Sequence, residues 1–346
     1  MKGNFMATSK TTIRDIAERT GYSVATISKA LNGLPDIGEE TTRRVREIAE
    51  EMGYIPNNRG RALRTSRSHT IGLLWFLRTE SVWTHELFAK MARGLQSIVE
   101  VAGYDLTPIS CNSALEGRYL SYCRYRGYDG VIIMSSGYRE EGLTELIRSE
   151  IPVVTIDYAY PNCGCVMADQ RASLTALLTH VYELGHRKIA YVYSDADSAV
   201  AVDRARAFDE CAARLGLHIP SEYKKPADFR NEEISAQATR ELLALAERPT
   251  CILYPDDLSA VGGMRALTDA GLSIPGDVSV VGYDNIPMSA YLQPPLTTYD
   301  QDGDEIGRSA GRLILNAIEK SLGASERVTV TGRLISRLSV ADLRAR

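Results

Sequence analysis

Apolar segments of strand length alternate with helical patterns from residue 71 onward, and this alternation constrains the fold more than any other feature. The segments are IGLLWFL, VIIM, VVTI, KIAYVY, CILY and VSVVGY, at 71–77, 131–134, 153–156, 188–193, 251–254 and 278–283. Helical patterns lie between most of them, and the clearest covers residues 86–102. Alternation of this kind predicts an α/β fold with parallel sheets built from βαβ units.

Two short helical patterns meet at a tight turn in residues 12–32. The first runs between Thr12, which can cap its start, and Gly21, which follows its end; the second begins after Ser23, a candidate N-cap. Isolated helices shorter than about 12–15 residues are marginal in water, so each must be supported by its neighbour. A helix-turn-helix, whose second helix enters the DNA major groove, is built in this way. An ordinary helical hairpin with solvated Ser and Thr side chains explains the periodicity equally well.

A third helical pattern and an arginine-rich stretch come next. The helix is predicted at residues 40–52, with Val45, Ile48 and Ala49 on one face and charged residues on the other. The stretch NRGRALRTSR, at 58–67, holds four arginines and no acidic residue. An exposed linker is one explanation for it.

The charge of the chain is divided unevenly. Residues 1–68 contain 12 Lys and Arg against 8 Asp and Glu, whereas the whole chain of 346 residues has a formal net charge of −4. A basic N-terminal segment in a chain whose remainder is acidic indicates a nucleic-acid partner for that segment only. No apolar run approaches the roughly 20 residues of a membrane span. We therefore expect a cytoplasmic protein without membrane contact.

Neither metal chemistry nor catalysis is indicated by the motifs. The six cysteines form no CxxC framework, and the pair at 163 and 165 has no accompanying His cluster, so we expect reduced thiols and no metal or cofactor. GxSxG, GxxxxGK[ST] and HExxH motifs are absent from the sequence. The neighbours Asp256 and Asp257 point in different directions from adjacent positions, which does not suit a pair of acid and base. We predict that the protein is not an enzyme.

Several long motifs in order resemble the lactose/galactose repressor (LacI/GalR) family of bacterial transcription regulators. They are VATISKALN, YIPN, RALRTSRSHTIGLL, LGHRKIAYV, DDLSAVGGMRAL, IPGDVSVVGYDN and PPLTTYDQD, and they extend from residue 24 to residue 302. The resemblance implies an N-terminal three-helix helix-turn-helix head and a periplasmic-binding-protein type I core of two doubly wound subdomains, with the ligand between them.

The same resemblance implies the domain boundaries. The helix-turn-helix domain covers 1–56, a hinge helix or linker covers 57–68, and an effector-binding and dimerisation domain covers 69–346. Within the last, the N-subdomain takes about 69–169 and 301–329, and the C-subdomain about 170–300 and 330–342. Tetramers of the lactose-repressor type carry an extra C-terminal heptad segment, whereas this chain stops at ADLRAR. We therefore expect a homodimer.

Contacts with double-stranded operator DNA are also implied by the resemblance. It places the second helix in the major groove and Leu63 of the hinge helix in the minor groove, where an apolar wedge costs unstacking but bends the DNA. Gly60 stands where the family generally has Ala, and glycine in place of alanine costs a helix about 1 kcal/mol. Lys29 replaces an Arg that members often use to contact guanine. The DNA-binding candidates are Thr12, Ser23, Val24, Ala25, Thr26, Ser28, Lys29, Asn32, Tyr54, Asn57 and Leu63.

Polar residues follow several strand candidates, where ligands sit in open α/β sheets. Asp157, Asp256 and Asp284 are such residues, although each can equally cap a helix or stabilise a turn. The resemblance matches Asp157, Arg204, Phe229 and Asp284 to effector-contacting positions. Asp256 stands where the family usually has Asn, and a carboxylate only accepts hydrogen bonds. The effector-binding candidates are Trp83, Phe88, Asp157, Arg204, Phe229, Asp256, Asp284 and Gln301; Trp83 is explained equally well as a core or surface aromatic, and Gln301 as part of a crossover.

These observations predict a sequence-specific transcription regulator with a small-molecule effector. Carboxylates, a guanidinium and aromatic rings suit a polyol, so we expect a repressor of carbohydrate-utilisation genes that a sugar or glycoside releases. Binding of effector would shift the population of two states with different operator affinity. One alternative is a corepressor-dependent regulator of the purine type. An alternative of another class is a sugar-binding transport protein or a sugar-processing enzyme.

Overall fold

The structure of the chain is a computed structural model that describes residues 11–31, 33–34, 36–54, 67–75, 86–110, 117–134, 141–161, 163–194, 198–320 and 326–345. The chain divides into two compact units, Met1–Ser68 and His69–Arg346. Most of the predicted hinge lies outside the described residues. So do four site candidates, namely Asn32, Asn57, Leu63 and Trp83.

The first unit contains the predicted helix-turn-helix. Its described helices are α1 (Ile13–Thr20), α2 (Val24–Leu31) and α3 (Glu39–Glu51). Gly21 ends α1 in the left-handed conformation that glycine adopts readily, with φ of 72°. Ser23 caps α2, because its Oγ accepts a hydrogen bond of 3.0 Å from the N–H of Thr26. The three helices enclose a small core of Ile16, Ile27, Ala30, Val45 and Ala49.

The second unit begins with a parallel six-stranded sheet. Its strands are β1 (Thr70–Trp75), β2 (Asp105–Ser110), β3 (Gly130–Met134), β4 (Val153–Ile156), β5 (Gly164–Ala168) and β11 (Arg327–Val330). They lie in the order β11-β5-β4-β3-β1-β2. Successive side chains of a strand point to opposite faces, so Val131 and Ile133 enter one core cluster and Ile132 and Met134 the other. Helices therefore cover both faces of this sheet.

The helices on the two faces come from separate parts of the chain. They are α4 (Glu86–Val99) and α11 (Gly303–Lys320) on one face and α5 (Tyr119–Arg126) and α6 (Glu141–Ile147) on the other. The helices α4 and α11 approach very closely, since a Cβ on Gly94 would lie 2.0 Å from the carbonyl oxygen of Asp304. This contact requires glycine at position 94.

A second parallel sheet follows in the chain. Its strands are β6 (Ile189–Ser194), β7 (Lys224–Ala227), β8 (Cys251–Leu253) and β9 (Ser279–Val281), in the order β7-β6-β8-β9. Its helices are α7 (Gln170–Glu183) and α8 (Ala199–Arg214) on one face and α9 (Glu232–Leu243) and α10 (Asp257–Asp269) on the other. A short antiparallel pair, β10 (Thr298–Asp300) and β12 (Arg333–Ile335), completes the described strands. The predicted α/β fold with two parallel sheets is confirmed.

The sequence prediction found six of the twelve described strands. All six predicted apolar segments contain a strand, namely β1, β3, β4, β6, β8 and β9. The missed strands are β2, β5, β7, β10, β11 and β12, and most of them lie at a sheet edge or in the short pair. An edge strand has a neighbour on one side only, so it does not need a continuous apolar run. In the described part of the chain, no helix is both long and apolar enough to cross a membrane.

Candidate effector site and DNA-binding surface

The start of α2 presents small side chains to solvent. Ser23, Val24 and Ala25 are exposed, whereas Ile27 one turn later is fully buried against the other helices of the first unit. Val24 is 43% exposed although it is apolar. The N-terminal residues of a recognition helix are the ones that reach base edges, so this exposed turn has the placement that DNA contact requires.

Two further DNA-binding candidates are held by neighbouring carboxylates. Thr12 donates from its N–H and its hydroxyl to Asp15, at 2.6 and 2.8 Å, and these bonds hold the pKa of Asp15 below its usual value. The Lys29 ammonium pairs with the carboxylate of Asp36, which lies between α2 and α3. Both partners are about half exposed, at 45% and 52%, and exposed pairs are weak. A stronger contact with DNA can therefore replace this pair. Thr26, Ser28 and Tyr54 are half-buried.

Arg204 is the centre of the candidate effector site. It extends from α8, is 6% exposed, and donates from Nε to Gln170 Oε1 at 2.8 Å and from Nη1 to the Pro255 carbonyl at 2.9 Å. Its guanidinium carbon lies 3.8 Å from the centroid of the Tyr283 ring and 5.5 Å from that of Phe229. Among the described residues, its Nη2 atom has no hydrogen-bond partner, so one edge of the fork can bind a ligand.

Asp284 follows β9 and is buried beside Arg204. It is 7% exposed, and its Oδ1 atom accepts a hydrogen bond of 2.5 Å from Gln301 Nε2. Burial raises the pKa of Asp284 to about 6, and the charge of Arg204 opposes that rise. Its Oδ2 atom has no hydrogen-bond partner among the described residues, so a ligand that donates hydrogen bonds can bind to it.

Asp157 follows β4 and adds a second carboxylate. Its φ of 70° is a left-handed conformation that a non-glycine residue seldom adopts. Burial raises the pKa of its carboxyl group, while Arg204 and the backbone N–H of Ala168 lower it. Arg204 is thus the cation for two carboxylates that come from different sheets.

Asp256 has the capping role that its position after β8 allows. Its Oδ1 accepts from the N–H of Ser259 at 2.8 Å, and its Oδ2 accepts from the Ser259 hydroxyl at 2.9 Å and from the N–H of Arg230 at 2.7 Å. The last bond fixes the turn that carries Phe229, whose ring is half-buried. Asp256 therefore holds the aromatic candidate in place, and direct contact with an effector stays a prediction.

The sequence reasoning missed several residues that position the site. Tyr283 stacks on Arg204, and its hydroxyl lies 3.0 Å from Gln170 Oε1 and 2.7 Å from Ser173 Oγ. Asp257 accepts from the N–H of Ile286 at 2.8 Å and from the hydroxyl of Thr298 at 2.6 Å, which fixes the loop after Asp284. A tyrosine directly before a candidate aspartate at a strand end was the available signal for Tyr283. No local pattern marks Gln170.

Phe88 occupies a different place from the other candidates. It is 7% exposed and belongs to the core cluster between α4 and the first sheet. This placement favours a packing role, and stacking on an effector stays a prediction. In the described part of the chain, no group of three or more His, Cys, Asp and Glu residues could hold a metal ion.

Comparisons with known proteins assign the family. A model of the periplasmic binding protein-like domain matches residues 178–340, and a model of bacterial regulatory proteins of the lacI family matches residues 12–57. The HTH-type transcriptional repressor PurR of Aliivibrio fischeri (strain MJ11) is 31% identical over 315 residues, 89% of this chain and 92% of that protein. The chain belongs to the LacI family. This LacI-family chain is a DNA-binding transcription regulator and not an enzyme.

Solved structures agree with this assignment. A lac repressor dimer bound to operator and the anti-inducer ONPF has the same fold as this LacI-family chain, with a TM-score of 0.82 at 22% identity over 96% of this chain and all of that one. A LacI-family regulator from Enterococcus faecium with bound ribose has a TM-score of 0.69 at 29% identity, over 79% of this chain and 99% of that one.

Proposed function

We propose that this LacI-family regulator is a repressor whose affinity for operator DNA is controlled by a sugar or glycoside bound around Arg204 and Asp284. The observation that carries the proposal is a buried guanidinium whose charge acts on a buried carboxylate, each with one atom that lacks a hydrogen-bond partner among the described residues. Adjacent hydroxyl groups of a sugar both donate and accept, so one ligand can satisfy both atoms.

The aromatic ring of Phe229 supports the same ligand class. It lies beside Arg204 at the end of a turn that Asp256 fixes. A half-exposed ring next to paired polar groups can stack on the apolar face of a sugar. The ribose-bound regulator from Enterococcus faecium adds support from a relative.

A purine-type corepressor is the second candidate. The relatives of this chain include PurR repressors from two strains of Aliivibrio fischeri, at 31% and 30% identity over 92% and 98% of their lengths. The ring of Phe229 can stack on a flat purine as well as on a sugar, and Asp284 can accept hydrogen bonds from ring N–H groups. The two candidates differ in the sign of their effect on DNA binding.

The other parts of the proposal concern assembly. We propose that the head covers 1–56, the hinge 57–68 and the effector-binding domain 69–346, with the two sheets as the cores of its subdomains. We propose a homodimer that binds two half-sites of the operator, which the dimeric lac repressor supports. The exposed N-terminal turn of α2 is the proposed base-reading surface.

The test combines a ligand screen with a DNA-binding measurement. Thermal shift of the whole protein with D-ribose, cellobiose, hypoxanthine and guanine identifies binding, and fluorescence anisotropy with operator DNA measures its consequence. The proposed function requires a sugar that stabilises the protein and weakens operator binding. A purine that strengthens operator binding assigns the corepressor type instead. Binding of none of the ligands refutes both assignments for these classes.

A further inference from the structure

Lys90 contacts the turn at 284–285, which follows a strand of the second sheet, although Lys90 belongs to a helix that packs on the first sheet. It lies on α4, which packs on the first sheet, and its ammonium donates to the carbonyl oxygen of Asn285 at 2.9 Å and lies 3.4 Å from that of Asp284. Its Nζ atom is also 4.0 Å from Asp300 Oδ1. The Lys90 side chain is 18% exposed, so these contacts are largely shielded from solvent.

The turn that Lys90 contacts has an unfavourable backbone conformation. Asp284 and Asn285 have φ angles of 99° and 49°, and neither residue is glycine. Such residues keep these angles only when their surroundings impose them. An ammonium group carries three donors, and here it meets two successive carbonyls that face it. Lys90 is thus one of the groups that impose the conformation.

Other side chains also hold the turn at 284–285. The Asn285 side chain donates to Asp300 Oδ2 at 3.0 Å and accepts from Arg337 Nη2 at 2.7 Å. Gln301, just before α11, binds the Asp284 carboxylate. The stem of Lys90 packs against the start of α11, since a Cβ on Gly303 would lie 3.0 Å from the Lys90 Cβ.

We propose that Lys90 is a positioning residue of the effector site, whose ammonium group fixes the turn at 284–285 so that the Asp284 carboxylate is presented to the effector. The inference rests on the proposed function only in assuming that Asp284 contacts the effector. It adds a direct contact between the backbone of the turn that carries this carboxylate and α4, a helix that packs on the first sheet. Effector binding at Asp284 is thereby coupled to the position of α4.

The charges around Asp284 give this positioning a measurable signature. The groups that face it are Arg204 from α8, Asp256 and Asp257 at the start of α10, Gln301 before α11, and Lys90 from α4. Burial raises the pKa of Asp284 to about 6, whereas Lys90 is one of the groups that lower it. Loss of the ammonium therefore moves the ionisation of Asp284 to higher pH.

The test measures the ionisation of Asp284 directly in the whole, ligand-free protein. Carboxyl carbon NMR of Asp-labelled protein follows the titration, and the signal of Asp284 is assigned by its loss in Asp284→Asn. In Lys90→Met the midpoint is expected to rise by roughly half a pH unit, and Lys90→Arg is expected to restore it. Arg93→Met is the matched control, because Arg93 lies on the same helix and pairs with Asp304 without touching the turn.

An unchanged midpoint in Lys90→Met, or an equal shift in Arg93→Met, overturns the inference. If Lys90→Met does not fold, Lys90→Gln takes its place in the same comparison with the same criteria. In a second experiment, D-ribose, cellobiose and hypoxanthine are the probes, and any that binds wild type is expected to bind Lys90→Met roughly tenfold more weakly. If none binds wild type, the proposed function fails while the titration still decides the role of Lys90.

Discussion

Removal of the Arg204 guanidinium is expected to abolish the effector response and to lower stability by an amount that depends on pH. Arg204→Met keeps the length and apolar contacts of the side chain and removes the charge. The effector would then lose its contact, while the operator-binding surface in the other unit is unaltered. A ligand shifts an equilibrium only through its differential affinity for the two states, so the shift disappears with the contact.

The contacts of Arg204 set the size of the stability change. Two hydrogen bonds from a charged group, at 2.8 and 2.9 Å, and one stacked tyrosine are lost. Hydrogen bonds to charged groups contribute about 1.5–3 kcal/mol each. Methionine avoids the desolvation cost of the guanidinium, which offsets part of this loss. Gln170 still has the Tyr283 hydroxyl, but the Pro255 carbonyl loses its donor. We expect a net loss of about 2–4 kcal/mol at neutral pH.

The loss should shrink in acid because of Asp284. In wild type its pKa is about 6, held down in part by Arg204, so the variant raises that pKa further. The folded variant then binds more protons than folded wild type near neutral pH, and its deficit becomes smaller as pH falls toward 5. Urea unfolding across this range measures the deficit, and operator anisotropy with and without effector measures the response.

Three outcomes would contradict the reasoning. A variant as stable as wild type at neutral pH means that the contacts of the guanidinium have been misjudged. A stability deficit that does not vary with pH means that the charge of Arg204 does not act on the ionisation of Asp284. A folded variant that responds at the same effector concentration as wild type would falsify the placement of the effector site.

Three further predictions concern the head and Asp284. Ile27 is fully buried, so Ile27→Ala is expected to destabilise the head by about 2–5 kcal/mol. Circular dichroism should show a thermal transition at lower temperature, together with weaker operator binding. An unchanged transition contradicts this packing. Lys29→Ala is expected to lose roughly 1–3 kcal/mol against the preferred operator and to flatten base preference at one position per half-site, whereas an equal loss on all DNA sequences makes Lys29 a phosphate contact. The folded-state pKa of Asp284 is raised to about 6 from a usual 3.8, so its ionisation destabilises the fold progressively as pH rises from about 4 to 6. Asp284→Asn is therefore expected to melt at a higher temperature than wild type above about pH 6 and at the same temperature below about pH 4. Calorimetry at both pH values measures the difference.

Local patterns in the sequence were enough for the central elements of the fold. The two short helices of the head could be predicted because Gly21 and Ser23 act on backbone groups within a few residues of themselves, and helical periodicity needs no distant partner. Only the resemblance to a family decided between a helix-turn-helix and an ordinary helical hairpin. The central strands could be predicted because both of their faces are buried, which requires continuous apolar runs such as that of residues 131–134. Three of the four edge strands, β2, β7 and β11, have no such run and were missed, whereas the edge strand β9 was predicted.

The candidate site was predicted only in part. Resemblance to a family supplied Arg204 and Asp284, and the structure places the two beside each other with Gln301 and Tyr283. Whether Asp256 caps a helix or faces a ligand could not be decided from its position after a strand, because both roles use the same residue at the same place. The hydrogen bonds from Ser259 and Arg230 identify the cap.

The sequence alone determined those features whose interacting groups lie close together along the chain. These are the head helices, their caps and the alternation of strands and helices. Tertiary structure alone decided the contacts between distant segments. Lys90 meets the carbonyl of Asn285, 195 positions away, and Arg204 meets Gln170, 34 positions away. Such pairs leave no periodic signal, because a lysine on a helix and a carbonyl in a loop are ordinary groups until folding places them within 3 Å of each other. The charge environment of Asp284 depends on these contacts, so it exists only in the folded protein.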